Sequence, residues 1–203
     1  MDFGILDQQV SLFAPKLEAD VGLRADEVAR VASAVVADVR DLDQDEKSQI
    51  RAASPVPVAN RLQELRAFQA WMDFASTVRG HPAVTRAQVI VQNYVCFVYL
   101  GEATFKALRR VAPAGSVTRR CSQFLTDNPV RAFRNALSHS NWTYREDFRA
   151  LVFWARKGSD PSEPMSRFEV EQQDLDFWQS LARAVAYAAY SSLDGTGTLG
   201  ASA

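Results

Sequence analysis

Apolar side chains recur along this chain at intervals of three and four residues, and that spacing limits the folds open to it. Val28, Val31, Val35 and Val39 fall on one side of a helical wheel, as do Leu62, Leu65, Phe68, Met72 and Ala75. A period near 3.6 puts such residues on one face of an α-helix, whereas a strand needs a period of two. With 203 residues, 47% of them hydrophobic and 23% charged, the chain has the composition of a soluble globular protein. It holds enough apolar material for a sizeable core.

The same periodicity divides the chain into elements. Leu6, Val10, Phe13 and Leu17 extend the pattern to the N-terminus, where Pro15 is expected to interrupt or kink it and Gly22 to stop it. Asp26 is the expected N-cap of the valine helix, and Asn60 that of the next. Between them DLDQDE (41–46) and SPVPV (54–58) read as loop or linker. Gly80 and Pro82 precede a long apolar helix expected at about 84–111, closed by PAGS, and a short helix is expected at about 117–126. Asn128 and Pro129 predict another start, a capping side chain followed by proline at the first helical position. The grammar then changes. ALVFWAR and SRFEVE are aromatic and β-branched, with turn-forming KGSDPSEP between them, which predicts a β-hairpin at about 150–170. A last helix is expected from about Asp174. The expected fold is all-α with this one small hairpin. Residues 1–80 form an extra helical region packed on a main domain of 81–192, and 193–203 is a disordered tail.

Compartment and ligand class are narrowed by what surrounds these elements. MDFGILDQQV has neither the basic nor the apolar region of a signal peptide. VIVQNYVCFVYLG (89–101) is too short for a membrane span and contains Gln92 and Asn93. Cys96 and Cys121 show no CxxC spacing, and Cys96 lies in an apolar run suited to a core. A cytoplasmic protein without a membrane partner is the expectation. Net charge is −1, yet residues 103–157 carry eleven basic groups and three acidic ones, so this window is +8 and the remainder −9. Such an excess suits a polyanion site; the alternative is that these arginines pair with acids elsewhere in the fold.

Within the window lies DNPVRAFRNALSHSNW (127–142). Val130, Phe133, Ala136 and Leu137 present one apolar face, while Asn135 and His139, four apart, share another. Arg134 and His139 are five apart, about 140° around a helix. One helix therefore does not bring both neatly onto one phosphate; two copies meeting about a dimer axis do so more easily. On spacing alone the favoured reading is structural, a histidine that caps a helix C-terminus. The other histidine, His81, has Phe74, Ala75 and Ser76 at the equivalent upstream positions and no arginine.

The string Arg134-Asn135-Ala136-Leu137-Ser138-His139, ending an amphipathic helix and followed by Trp142, resembles the motif of the HEPN superfamily. That motif is an arginine, four to six residues, then a histidine, often with a polar residue directly after the arginine. The resemblance spans about residues 85–192 and implies a mostly α-helical, frequently dimeric domain. It also implies a metal-independent ribonuclease of the kind found in toxin–antitoxin and phage-defence systems. Some HEPN toxins carry a tyrosine two positions after the histidine, the target of an adenylylating antitoxin; Asn141 stands there in this chain.

On this reading the RNA's own 2′-OH is the nucleophile. His139 is the expected general acid or base, Arg134 the group stabilising charge on the phosphate, and Asn135 an orienting residue. Arg131, Trp142, Tyr144 and Arg145 are the expected nucleic-acid contacts. Each has a structural alternative: Asn135 and Arg131 on a solvated face, Trp142 in packing. No His, Cys or carboxylate cluster has ligand spacing, so neither metal nor cofactor is expected. Expected partners are RNA, a second copy and a cognate antitoxin. The competing expectations are a non-catalytic HEPN-like module for dimerisation and RNA or protein binding, and a plain interaction protein whose basic window is internally neutralised.

Overall fold

A computed structural model describes residues 2–77, 87, 90–100, 102–147, 149–156, 160 and 162–195. Among these the chain is mostly helical and carries a small antiparallel sheet. The first apolar repeat divides into α1 (Phe3–Ser11) and α2 (Ala14–Ala19). Pro15 sits in the first turn of α2, where a missing N–H removes no intrahelical bond. The valine repeat divides too, into α3 (Ala25–Val28) and α4 (Val31–Asp41). Arg24, not Asp26, is the N-cap of α3, and its N–H donates to the Glu27 carboxylate at 2.8 Å. The start of α4 is capped from a distance. Asp7 of α1 accepts from the Ala32 N–H at 2.6 Å and the Ser33 hydroxyl at 2.5 Å, which satisfies amide groups that a helix start leaves open.

The acidic stretch expected as linker is largely helical: α5 spans Gln44–Ala52. Its cause is a capping box. The Glu46 N–H donates to Asp43 Oδ1 at 2.8 Å, and the Asp43 N–H donates back to Glu46 Oε2 at 3.0 Å. α6 (Val58–Thr77) begins before Asn60, so Asn60 is inside the helix rather than its cap. Of the helix expected at 84–111, residues 84–86, 88, 89 and 101 lie outside the described residues. Residues 94–99 wind as a π-helix, with the Leu100 N–H reaching the Val95 carbonyl at 3.0 Å, and α7 spans Glu102–Val111. Gly80, His81 and Pro82 lie outside the described residues, as does the tail from 196 onward.

α8 (Val117–Thr126) falls where the sequence predicts a short helix. Asp38 of α4 accepts from the Thr118 N–H at 3.0 Å and its hydroxyl at 2.6 Å, a second remote cap. α9 (Val130–Ser138) starts one position later than expected. Pro129, after a cis peptide bond, occupies the cap position, and the Arg131 N–H reaches the Asp127 carbonyl at 2.9 Å. The hairpin is present as β2 (Ala150–Ala155) and β3 (Ser166–Glu171). A strand not expected from the sequence, β1 (Trp142–Tyr144), adds to β2 and gives the order β1-β2-β3. In register, Trp142 faces Phe153, Tyr144 faces Leu151, and Phe153 faces Phe168. Those residues share the face turned to α9, because side chains alternate along a strand. Trp154 belongs to the other face, opposite Arg167, and is half-buried.

α10 (Gln172–Leu193) is the central element. Ala182, Ala184, Ala186, Ala188 and Ala189 are fully enclosed, which lets α1, α4, α6 and α8 pack closely around it. Its main partner is α4, through Val31, Val35 and Val39, none of which retains solvent exposure. One continuous cluster of buried side chains runs from Phe3 to Leu193. The N-terminal helices and the C-terminal helix therefore share a core.

Candidate functional site

The helix bearing the motif, α9, is set by its apolar face. Val130, Ala132, Phe133 and Ala136 are buried, and Leu137 packs partly against the same cluster. Phe133 has no exposed surface and meets three rings: Phe97 at 5.4 Å, Phe153 at 5.2 Å and Trp178 at 5.8 Å between centroids. Edge-on and tilted contacts of this kind fix both rotation and height of the helix. Asn135, Ser138 and His139 consequently face solvent, and Arg131 is half-exposed.

The helix ends in an ordered turn. His139 is the C-cap; the Ser140 N–H donates to the Leu137 carbonyl at 3.2 Å and the Asn141 N–H to the Ala136 carbonyl at 2.8 Å. This 5→2 and 6→1 pair is the Schellman arrangement, and it requires left-handed backbone at the residue after the cap. Ser140 supplies it with φ 57°, where glycine is usual. The chain then enters the sheet directly, the Trp154 N–H donating to the Asn141 carbonyl at 2.9 Å. His139 is thus exposed as a side chain but rigidly placed as backbone.

Arg134 takes the other side. Its side chain retains 9% exposure, and Nη2 lies 2.8 Å from Oε2 of Glu102, the first residue of α7. Lys106, one turn along α7, brings Nζ to 2.8 Å from Glu102 Oε1, an ion pair whose geometry is off the hydrogen-bond direction. Burial pushes the Glu102 carboxyl up, but Lys106 and Arg134 outweigh it and hold the group below its ordinary range. Burial pushes the Arg134 guanidinium down, Glu102 opposes that, and the nearby charge of Arg131 adds to it. The void beside this pair, lined by Cys96, Phe97, Glu102, Phe105, Leu125, Val130, Arg134 and Ala182, is about 10 Å³. That is room for one water at most, not for a phosphate. Arg134 and His139 therefore do not converge within one chain; Asn135 and His139 do share a face.

Ion pairing absorbs much of the basic window. Arg109 pairs with Asp127 at 2.7 Å, Arg120 with Glu27 at 2.5 Å, and Arg134 and Lys106 with Glu102. Arg145 is held by Asp147, Glu169 and Glu171 together, which raises its pKa and leaves its charge neutralised locally. Among the described residues Arg110, Arg119, Arg131, Arg149 and Arg156 form no ion pair, Arg119 and Arg156 donating instead to the Ala112 and Glu163 carbonyls. Around the start of α9, Lys106, Arg109, Arg131 and Arg134 face only Glu102 and Asp127, a local excess of two positive charges. Trp142 and Tyr144 pack edge-on at 5.6 Å against each other and onto the core, each half-buried. Their rings lie on the sheet's inner face with part of their surface still exposed.

Among the described residues no group of three His, Cys, Asp or Glu side chains is placed to hold a metal ion. Glu102 and Lys106 are the members of the site that sequence reading missed. Their mutual pairing is visible as an i, i+4 spacing. The link to Arg134 joins two helices and has no local signature. The chain matches no protein-family model, no curated protein and no solved structure.

Proposed function

We propose that this chain is a metal-independent endoribonuclease of the HEPN type whose competent site is shared by two copies. The observation that carries it is the arrangement on α9. An exposed histidine and an exposed asparagine are fixed on one face by a rigid turn, and the positive charge left after ion pairing surrounds the other end of the same helix. In the reaction, the 2′-oxygen attacks the adjacent phosphorus, the bond to the 5′-oxygen breaks, and a 2′,3′-cyclic phosphate and a 5′-hydroxyl result. His139 takes the 2′-OH proton or protonates the leaving 5′-oxygen, while Arg134 and Arg131 stabilise the charge growing on the phosphate oxygens. Two copies are invoked because His139 and Arg134 lie on different sides of α9 and do not meet on one phosphate within one chain; Arg134 is enclosed against Glu102 in the free chain, so its contact with the phosphate requires that pair to open. An antitoxin partner and a defence role belong to the same resemblance. No helix among the described residues is long and apolar enough to cross a membrane.

The test is cleavage of single-stranded RNA in EDTA. Wild type is expected to release cyclic-phosphate ends, and both His139→Ala and a 2′-deoxy substitution at the scissile position are expected to stop it. Undiminished cleavage by His139→Ala would remove the reading. A second reading, a non-catalytic dimerisation and RNA-binding module, is favoured by the Arg134–Glu102 pair, which occupies the guanidinium in the free chain. RNA binding with a steep salt dependence but without turnover is its signature.

A further inference from the structure

An open groove of about 390 Å³ runs between α6 and the π-helix at residues 94–99, lined by these segments and Val91 rather than by α9. Rings dominate its walls. Glu64, Phe68 and Trp71 follow one another at four and three residues along α6 and so share a face. Tyr94 and Tyr99 come from the π-helix, a winding found frequently at functional sites. Phe68 and Trp71 stack at 6.0 Å between centroids and 21° between planes, Phe68 buried and Trp71 half-exposed. Tyr94 is 56% exposed. Arg61, one turn before Glu64, lies over the Tyr99 ring at 4.2 Å and donates to the Tyr99 carbonyl and the Ser54 hydroxyl, so it is engaged elsewhere. Glu64 is exposed and forms no ion pair or hydrogen bond among the described residues. It is the one charged residue in this lining among the described residues.

We propose that this groove binds a guanine base. An anionic ligand would meet Glu64 as a like charge, and a purely apolar one would desolvate the carboxylate without giving it a partner. A flat base suits the rings, because stacking on an aromatic side chain is open to every base. The carboxylate then selects among bases. Ionised, it only accepts hydrogen bonds, through two oxygens side by side. The Watson–Crick edge of guanine presents two adjacent donors, N1–H and the 2-amino group, which one carboxylate takes together. Adenine and cytosine set a ring-nitrogen acceptor beside their amino donor, and uracil flanks its single N–H with two carbonyls. Each of these brings an acceptor against the carboxylate. The volume agrees, being near the small end of the range of about 300–1,000 Å³ for small-ligand clefts. It suits a base better than a partner helix about 10–12 Å across. The base can belong to a free nucleotide or to single-stranded RNA, and its binding needs no turnover at α9.

The experiment is titration calorimetry with GMP, IMP, AMP, CMP and UMP, and with the 2′-O-methyl hexamers UUGUUU and UUUUUU, which have no free 2′-OH and are not cut. Wild type is expected to bind GMP at least about tenfold tighter than AMP, CMP or UMP, with IMP, which lacks the 2-amino group, in between. Glu64→Gln is expected to weaken GMP binding by about 30-fold and Trp71→Ala by about tenfold. Both side chains retain exposure, so the variants are expected to melt close to wild type. UUGUUU binding tighter than GMP assigns the site to RNA, and GMP binding as tightly or more so assigns it to a free nucleotide; either result keeps the guanine assignment. If GMP binds no tighter than UMP and UUGUUU no tighter than UUUUUU, or if Glu64→Gln leaves guanine affinity unchanged, the assignment falls. It falls too if an amphipathic Leu-Lys peptide binds and no nucleotide does, since the groove would then dock a protein. Cleavage by His139→Ala bears on α9 alone, so the ribonuclease reading and this site fail separately.

Discussion

Glu27 of α3 and Arg120 of α8, 93 positions apart, meet with Oε1 and Nη2 at 2.5 Å. The Glu27 side chain is only 6% exposed, and Arg120 also donates to the Gly22 carbonyl. Burial pushes the Glu27 carboxyl up, but Arg120, the Arg24 N–H and the Arg24 charge outweigh it and hold it below its ordinary 4.5. A carboxyl depressed on folding stabilises above its unfolded pKa and loses that contribution as pH falls through the folded one. Glu27→Gln is therefore expected to cost about 1–3 kcal/mol at neutral pH, a gap that closes as pH drops below about 4.5. Urea unfolding of both proteins across that range checks it. A gap that stays constant down to acid pH would show that the charge of Glu27 contributes nothing.

That contact also marks where sequence reading reaches its limit. Elements built from neighbours were legible: α8, the β2–β3 hairpin and α10 lie close to where periodicity and turn residues place them. α5 was legible in principle, since Asp43 and Glu46 have capping-box spacing, but the density of acids around them reads as linker. Contacts between distant segments leave no such trace. The caps that Asp7 and Asp38 provide come from other helices, and of the acids that pair with the basic window only Asp127 and Asp147 lie within it, while Glu27, Glu102, Glu169 and Glu171 lie outside it in sequence. In the candidate site the Asn135–His139 face follows from a spacing of four, whereas the enclosure of Arg134 depends on where α7 packs.

The two kinds of cap are expected to differ in cost. Asp43 caps α5 at the surface, and Asp43→Ala is expected to lose about 1 kcal/mol. Asp7 is buried and holds the Ala32 N–H and Ser33 hydroxyl across two helices. Asp7→Ala leaves those donors without a partner and is expected to lose about 2–3 kcal/mol, at the upper end for an unsatisfied buried group. Denaturant midpoints of the two variants decide the order; equal losses would contradict the remote cap.

Ser140 carries a different liability. A side chain at φ 57° costs about 1 kcal/mol relative to glycine, and a β-branched one costs more. Ser140→Gly is expected to raise stability by up to about 1 kcal/mol, and Ser140→Val to lower it by about 1–2 kcal/mol. Thermal melts of both variants test the turn directly. A neutral Ser140→Val would mean that the left-handed residue after His139 is not maintained in solution.

Cys96 and Cys121 are sealed, with 1% and 0% exposure, and burial pushes both thiols up to about 12. Thiolate is the reactive form, so neither is expected to react with a disulfide reagent at pH 8 while the chain is folded. Both should react as it unfolds, and the labelling rate should then track the urea unfolding curve. Rapid labelling of either thiol under native conditions would place it at the surface.

His139 and Arg134, five residues apart on one helix, are expected to separate function from stability. His139 is exposed and its imidazole forms no hydrogen bond or ion pair among the described residues. His139→Ala is therefore expected to change stability by less than about 0.5 kcal/mol while abolishing RNA cleavage. Arg134 is enclosed and paired, so Arg134→Ala breaks a buried ion pair and leaves a cavity beside Phe97 and Phe105. Its expected cost is about 3 kcal/mol, the lower end for such pairs, because Lys106 remains to neutralise Glu102. Denaturation and RNA cleavage measured on the same two preparations resolve the two roles. If His139→Ala lost as much stability as Arg134→Ala, the histidine would be a structural cap, and its exposure would carry no catalytic meaning.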